Sequence, residues 1–161
     1  MFGIWVGLSR SVTEAAVSEL LGRWFPAVVH LTHAAALAST AASWPAIVFS
    51  VEMRPEVPDF PARVHFDCFP GPEAHAIAVG IALAQKFAAA LGCDSVTDGS
   101  GYGDDASPYW SIVWHGGRAY LADDSDSAFA DNTSRPLRRV RPLDITAVKL
   151  NEDGLWVPDR G

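Results

Sequence analysis

The chain has 161 residues, of which 49% are hydrophobic and 19% are charged, and its formal net charge at pH 7 is −7. This length and apolar content suffice for a domain with its own core, and they exclude a chain that is disordered over most of its length. Because phosphate backbones and anionic lipids repel a negatively charged protein, we expect neither nucleic acid nor a membrane surface as its partner.

The N-terminal segment lacks the features of a secretory leader. Residues 1–5 contain no positively charged residue, and no adequate apolar leader core follows them. The two cysteines, Cys68 and Cys93, do not form a CxxC pair, and we expect both to be reduced thiols that pack as small hydrophobic side chains. The sequence therefore predicts a cytoplasmic protein.

The first half of the chain predicts several strands and one amphipathic helix. Ser11 and Glu14 have the spacing of a capping box, which predicts a helix over residues 12–23. Apolar and β-prone runs predict strands over residues 2–8, 27–31, 46–53 and 62–69. Residues 34–42 are expected to form a helical turn or a loop, and the proline-rich residues 54–61 a connection.

Residues 24–51 are long enough to cross a membrane and contain no Asp, Glu, Lys or Arg. Their polar residues, together with Pro26 and Pro45, argue against a membrane-spanning helix. We therefore expect this segment to form buried or half-buried structure in a soluble domain.

The second half of the chain predicts a long helix and a β-hairpin. Pro72 suits a first helical position, Glu73 favours the positive end of a helix dipole, and Gly92 suits the end of a helix. A short strand over residues 95–97 and a glycine-rich loop over residues 99–108 follow. Gly116 and Gly117 lie between two β-prone runs, which indicates a hairpin. Residues 145–150 are the candidate for a last strand, within a partly irregular tail at residues 132–161.

Together, these elements predict a single α+β domain over residues 1–161. We expect a mostly antiparallel sheet, two main helices packed on one of its faces, and a β-hairpin toward the C-terminus. The sequence shows no internal repeat and no domain boundary.

Negative charge is concentrated in residues 99–131, which hold six Asp and one Arg and so carry −5, whereas residues 132–161 carry +2. An acidic surface of this kind suits a basic protein partner. We expect aromatic and carboxylate side chains to lie together at one end of the hairpin and to bind that partner. The predicted contact residues are Tyr102, Asp104, Asp105, Tyr109, Trp114, Asp123, Asp124 and Asp126. The arginines within residues 135–141 are expected to pair with the chain's own acids or to remain solvated.

Other combinations of residues are weaker indications of chemistry. His30 and His33 have no further ligands at a zinc-binding spacing, so neither a metal site nor a cofactor is predicted. His65 and Cys68 fall on opposite faces of a predicted strand, which argues against a catalytic dyad. The glycine-rich loop is followed by carboxylates and opens no predicted helix, unlike a phosphate-binding loop. Residues 123–126 lack the glycine and glutamate of an EF-hand, which leaves at most a surface cation site.

The second half of the chain also has an order of elements found in a family of bacterial proteins. An alanine-rich helix ending at Leu91-Gly92 leads into Ser95-Val96-Thr97-Asp98. Ser107-Pro108-Tyr109, Ser111-Ile112-Val113, a glycine turn and Arg118-Ala119-Tyr120-Leu121-Ala122-Asp123-Asp124 follow. Residues 71–126 thus resemble the C-terminal half of immunity proteins encoded beside polymorphic or contact-delivered toxins. The resemblance implies a cytoplasmic, non-enzymatic inhibitor that occludes the active site of a cognate toxin, with no catalytic residues to transfer.

Two other functions remain open at this point. A pocket lined by Trp44, Phe49 and His65, with His30 or His33 nearby, would indicate a small-ligand-binding protein or an enzyme. An adaptor or chaperone of a secretion system is the second alternative. The sequence does not choose between a monomer and a homodimer.

Overall fold

The fold is built on one large sheet. The computed structural model describes residues 2–38, 46–69, 72–130 and 135–151. The strands are β1 (Phe2–Leu8), β2 (Val29–Thr32), β3 (Ala46–Met53), β4 (Ala62–Phe69), β5 (Ser95–Asp98), β6 (Trp110–His115), β7 (Arg118–Asp123) and β8 (Arg138–Leu143). The helices are α1 (Glu14–Trp24), α2 (His33–Ala38) and α3 (Glu73–Leu91), and a single 3₁₀ turn covers Ala128–Ala130.

The strands lie in the order β2-β3-β4-β1-β5-β6-β7-β8, and every neighbouring pair is antiparallel except β2 and β3. The main helices, α1 and α3, contribute to one hydrophobic core with the same side of this sheet. The predicted class, an α+β domain with a mostly antiparallel sheet and two main helices on one face, is therefore confirmed.

The main core lies between the sheet and the two helices. Alternate residues of β1 and β4 face it, as the period of two predicts, and Val6 and Val64 are completely buried there. In α3, Phe87 is fully buried and its ring lies 4.9 Å from that of Trp24 on α1. A Cβ added at Gly80 would lie 3.0 Å from Thr97 Oγ1, so small residues do let α3 approach the sheet closely.

A second, smaller core covers part of the opposite face of the sheet. Its members come from β5, β6 and β7, from the connection at residues 54–61, and from residues 124–130 together with Leu137. The Phe129 ring lies 5.2 Å from that of Trp5, and the Arg63 guanidinium carbon lies 4.7 Å from the centre of the Phe129 ring. Two loops thus cover this face, where no helix longer than a single turn packs in the described residues.

The pairing between neighbouring strands is shortest at the centre of the sheet. Whereas β1 pairs with β4 along its length, it pairs with β5 only through Gly7 with Val96 and Leu8 with Ser95. Beyond these two pairs the strands separate, and Thr97 Oγ1 donates a hydrogen bond to the carbonyl oxygen of Trp5 at 2.8 Å. The eight strands therefore form two four-stranded halves joined by a short ladder.

Several predicted boundaries hold and others are wrong. The Gly116–Gly117 turn has φ of 56° and 79° and joins β6 to β7, which confirms the predicted hairpin. Thr13, not Ser11, caps α1, because its Oγ1 accepts from the N–H of Ala16 at 3.1 Å. Pro72 lies at the N-cap of α3, one position before the first helical residue where it was predicted.

The C-terminal strand prediction is also wrong. Residues 145–149 contribute no strand to the sheet; Ile145, Ala147 and Val148 pack against the main core, and Leu150 is buried in it. The last strand is β8 instead, which pairs with β7 and has a bulge opposite Leu121 and Ala122. The apolar residues that suggested a strand serve as a packed, irregular strap.

Among the helices of the described residues, one, α3, is long and apolar enough to cross a membrane, with a mean hydropathy of 1.5. In this fold its apolar side packs against the sheet, as in the core helix of many domains. The uncharged residues 24–51 instead form β2, α2 and part of β3 within the part of the chain that the structure describes.

Gly7 provides a test of the short ladder between the two halves of the sheet. A Cβ at this position would lie 2.6 Å from Val96 Cγ1, and valine cannot move aside without leaving its rotamer. We expect Gly7→Ala to lower the free energy of unfolding by about 1–3 kcal/mol, as overpacking typically does. Urea unfolding measures this change.

The matched control is Gly3→Ala, on the same strand, where the nearest atom to an added Cβ is 3.9 Å away. This variant should stay within about 0.5 kcal/mol of the parent protein. Equal effects of the two substitutions would contradict tight packing at the ladder.

Candidate interaction surface

The connection between β5 and β6, residues 99–109, is tied closely to the sheet, and we call it the acidic loop. A Cβ at Gly99 would lie 2.8 Å from the backbone of Ser111, and Gly103 packs directly on the indole of Trp110. Asp105 Oδ1 accepts hydrogen bonds from Trp110 Nε1 at 2.8 Å and from the N–H of Ser107 at 2.9 Å. The loop therefore presents its outer side chains from a fixed base.

Two tyrosines of the acidic loop are exposed beside its carboxylates. Tyr102 is 37% exposed and Tyr109 is 44% exposed, and Asp104 and Asp105 are exposed in the same loop. Tyrosine rings at a protein surface offer large apolar area with a polar hydroxyl, which is why they are common interface anchors. Four of the eight predicted contact residues thus share one loop with the expected exposure.

The arginines that follow the acidic stretch pair with its aspartates. The distances are 2.7 Å for Arg135–Asp126, 2.9 Å for Arg138–Asp123 and 3.1 Å for Arg141–Asp104. The prediction that this cluster pairs with the chain's own acids is confirmed. The pairs of Asp126 and Asp104 are exposed, and exposed ion pairs contribute at most about 1 kcal/mol each, so a partner's cations can exchange with these two at little cost.

Two predicted contact residues are not at the surface. Trp114 is 3% exposed on the core side of β6, and its indole N–H donates to the carbonyl oxygen of Ile81 in α3. Asp124 is 8% exposed and accepts a hydrogen bond from Ser111 Oγ at 2.7 Å. The strand register turns Trp114 inward, and Asp124, just after β7, is held inside by the hydrogen bonds of its N–H to the carbonyl oxygen of Tyr109 and of Ser111 Oγ to its carboxylate, so neither is part of the contact surface.

The adjacent carboxylates Asp123 and Asp124 differ in their electrostatics. Hydrogen bonds from Ser125, and then the guanidinium of Arg138, lower the pKa of Asp123. Burial raises the pKa of Asp124 to about 6, and the negative charges of Asp123 and Asp98 add to the effect. Asp123 therefore remains charged at the rim of the acidic loop, whereas Asp124 is a buried structural carboxyl group.

The histidines do not converge on a common site. His33 Nδ1 donates to Asp67 at 2.7 Å, and His65 Nε2 donates to Glu52 at 2.9 Å. His30 Nε2 donates to the carbonyl oxygen of Phe25 at 3.1 Å. Each of these three imidazoles has a local partner, and no group of three or more His, Cys, Asp or Glu could hold a metal ion within the described residues.

The pocket suggested by Trp44, Phe49 and His65 is not assembled on one face. Phe49 is 1% exposed in the main core, whereas His65 is on the opposite side of the sheet, across from Ser50. Trp44 and the side chain of Cys68 lie outside the described residues. Burial raises the pKa of the Cys93 thiol, which therefore stays protonated and weakly nucleophilic at neutral pH.

A hollow of about 80 Å³ lies where β1 and β5 separate, beneath the first turns of α3. Its lining includes Glu73, Asp98, Ile4, Ile77 and Gly80. The sequence gives no indication of this feature, because no local pattern pairs Asp98 with Glu73, and their proximity results from the packing of α3 on the sheet. The hollow adjoins the acidic loop, which begins at the residue after Asp98.

Comparisons of this chain with protein families, with curated proteins and with solved structures found no match.

The pKa of Asp124 predicts a pH-dependent stability. Its folded-state pKa of about 6 lies above the ordinary 3.8, so its stabilising contribution is complete below pH of about 4 and is lost as the pH rises through about 6. We expect Asp124→Asn to remove this pH dependence and to raise the free energy of unfolding at neutral pH by about 1 kcal/mol. One pKa unit corresponds to about 1.4 kcal/mol, and residual solvent access reduces the full effect.

Chemical unfolding of the parent and the variant between about pH 4 and about pH 7 measures the effect. Asp144→Asn, at an exposed carboxylate, is the control and should leave the pH profile unchanged. A parent-like pH profile in Asp124→Asn would contradict the role given to this carboxyl group.

Proposed function

We propose that this chain is a cytoplasmic immunity protein that binds a toxin domain and occludes its active site without catalysis. The observation that carries the proposal is the acidic loop, in which Tyr102 and Tyr109 are exposed beside Asp104 and Asp105. The resemblance of residues 71–126 to immunity proteins supports the same function. The partner is a protein with a basic surface around its active site.

Binding would have two components: burial of apolar side-chain area and replacement of the chain's own arginines by cations of the toxin. The two tyrosine rings would bury area against the toxin, and lysines or arginines of the toxin would replace Arg141 and Arg135 as partners of Asp104 and Asp126. Because those pairs are exposed and weak, the exchange costs little. Complementary charge would also accelerate association, by a factor that falls with salt concentration.

Capture and reconstitution test the function itself. The tagged chain is used to capture its partner from the native host, and the captured protein is then expressed alone in a heterologous bacterium. We expect the partner to arrest growth and coexpression of this chain to restore it, with a stoichiometric complex in size-exclusion chromatography. A captured partner without toxicity, or a toxin against which this chain gives no protection, would contradict the proposal.

Double variants that each remove two negative charges test the proposed contact surface. In association kinetics with the purified toxin, we expect Asp104→Asn/Asp126→Asn to slow association about tenfold at low salt and to flatten its salt dependence. The control, Glu14→Gln/Glu19→Gln, removes the same charge from exposed positions on α1 and should have a small effect. Tyr109→Ala should mainly accelerate dissociation. Equal effects of the two double variants would show that neither Asp104 of the acidic loop nor Asp126 lies in the contact surface.

A further inference from the structure

We propose that the hollow between β1 and β5 receives a lysine side chain of the protein partner. The inference rests on the proposed function, and it adds a specific subsite beside the acidic loop. It depends on three features of the hollow: its origin in the separation of two strands, its apolar walls, and the two carboxylate residues that line it.

The hollow exists because the central ladder of the sheet is short. After Gly7 and Val96, β1 and β5 no longer pair, and the Thr97 hydroxyl bridges them through the carbonyl oxygen of Trp5. Helix α3 crosses this gap, and Gly80 lets it approach Thr97 closely, since a Cβ there would lie 3.0 Å from Thr97 Oγ1; the hollow remains beside this contact. The resulting volume of about 80 Å³ has room for several water molecules or the end of one side chain.

The walls of the hollow suit an alkyl chain. Ile4, Ala76 and Ile77 line it together with backbone at Gly3 and Gly80, and Ile77 is half-buried at its edge. A lysine places four methylenes behind a compact ammonium group, and such stems commonly lie along apolar surface while the charge meets acceptors. The planar guanidinium group of arginine is wider and less suited to so narrow a space.

The carboxylates of the hollow are the acceptors for that ammonium group. Glu73 and Asp98 both line it. Asp98 Oδ1 accepts from the N–H and the hydroxyl of Ser100, at 2.8 Å and 2.6 Å, which leaves Oδ2 available. In the described part of the chain neither residue forms an ion pair, in contrast to Asp104, Asp123 and Asp126 nearby.

The position of the hollow connects it with the proposed contact surface. Asp98 ends β5, and the acidic loop with its exposed tyrosines begins at the next residue. A basic toxin seated on the loop would therefore carry cationic side chains past the mouth of the hollow. Since the partner's lysine would meet carboxylates with no internal arginine to displace, this subsite is expected to contribute more to affinity than the exchangeable pairs of Asp104 and Asp126.

A small probe tests the subsite without the toxin. n-Butylammonium, which reproduces the lysine side chain, is titrated into ¹⁵N-labelled protein. We expect saturable shifts of the Ile4, Ile77, Gly80 and Thr97 amide signals with millimolar affinity. Glu73→Gln/Asp98→Asn should weaken binding at least tenfold, while Glu14→Gln/Glu19→Gln leaves it unchanged. 1-Butanol, which has no charge, should not bind, and n-propylguanidinium should bind more weakly.

Shifts that do not saturate, that lie away from the hollow, or that persist in Glu73→Gln/Asp98→Asn would overturn the proposal. If that double variant fails to fold, Ile77→Trp replaces it, because it fills the hollow and leaves both carboxylates in place. This variant should likewise abolish the shifts, and retained shifts would overturn the proposal.

Binding measurements with the toxin distinguish a failure of this inference from a failure of the proposed function. We expect Glu73→Gln/Asp98→Asn to lower toxin affinity about tenfold or more, chiefly through faster dissociation. Toxin binding that is unaffected by this variant would leave the inhibitor function standing and remove the subsite. Butylammonium binding by a chain that protects against no toxin would retain the hollow as a site for an alkylammonium group and refute the immunity function.

Discussion

The packing of α3 across the centre of the sheet is the interaction on which the rest of the structure depends. Since only two residue pairs join β1 to β5, the two halves of the sheet need a second connection. The helix provides it: Phe87 packs near Phe66 of one half, and carbonyl groups of α3 accept hydrogen bonds from Ser95 and Trp114 of the other. Close approach depends on Gly80, where a Cβ would crowd Thr97.

This arrangement also determines where the surface can act. Because α3 holds the halves together at one end of the ladder, the strands are free to separate at the other end, and the hollow with Glu73 and Asp98 opens there. The acidic loop leaves the sheet at the same place, with Gly103 seated on Trp110. The positions of the hollow and of the acidic loop thus follow from the way in which α3 and the short ladder join the two halves of the sheet.

The ion pairs of this molecule describe its surface charge better than its net charge does. The acidic stretch carries −5 in the sequence, but in the fold Asp104, Asp123 and Asp126 each have an arginine within 3.1 Å. Arginine side chains along β8 also protect an edge strand from pairing with other chains, as charged edge residues commonly do. Asp124 is removed from the surface altogether by burial.

Local patterns predicted the elements whose signals are local. The alternation in β4, the Gly116–Gly117 turn, and Gly92 at the end of α3, which adopts a left-handed conformation, were all predicted from neighbouring residues. By contrast, β8 was missed because an exposed edge strand rich in arginine and proline has no apolar alternation. Residues 145–150 have the apolar content of a strand because a packed, irregular segment contains the same apolar residues.

The properties of the candidate site likewise divide into those that the sequence predicts and those that depend on the tertiary structure. The sequence by itself determined the fold class, the hairpin, and the concentration of aspartates and tyrosines in one loop, because these follow from composition and short-range periodicity. Only the tertiary structure decided that Trp114 and Asp124 are buried, which aspartate each arginine pairs with, and that Glu73 and Asp98 share a hollow. Those outcomes depend on register and on which distant strands are neighbours, and neither is encoded in any local stretch of residues.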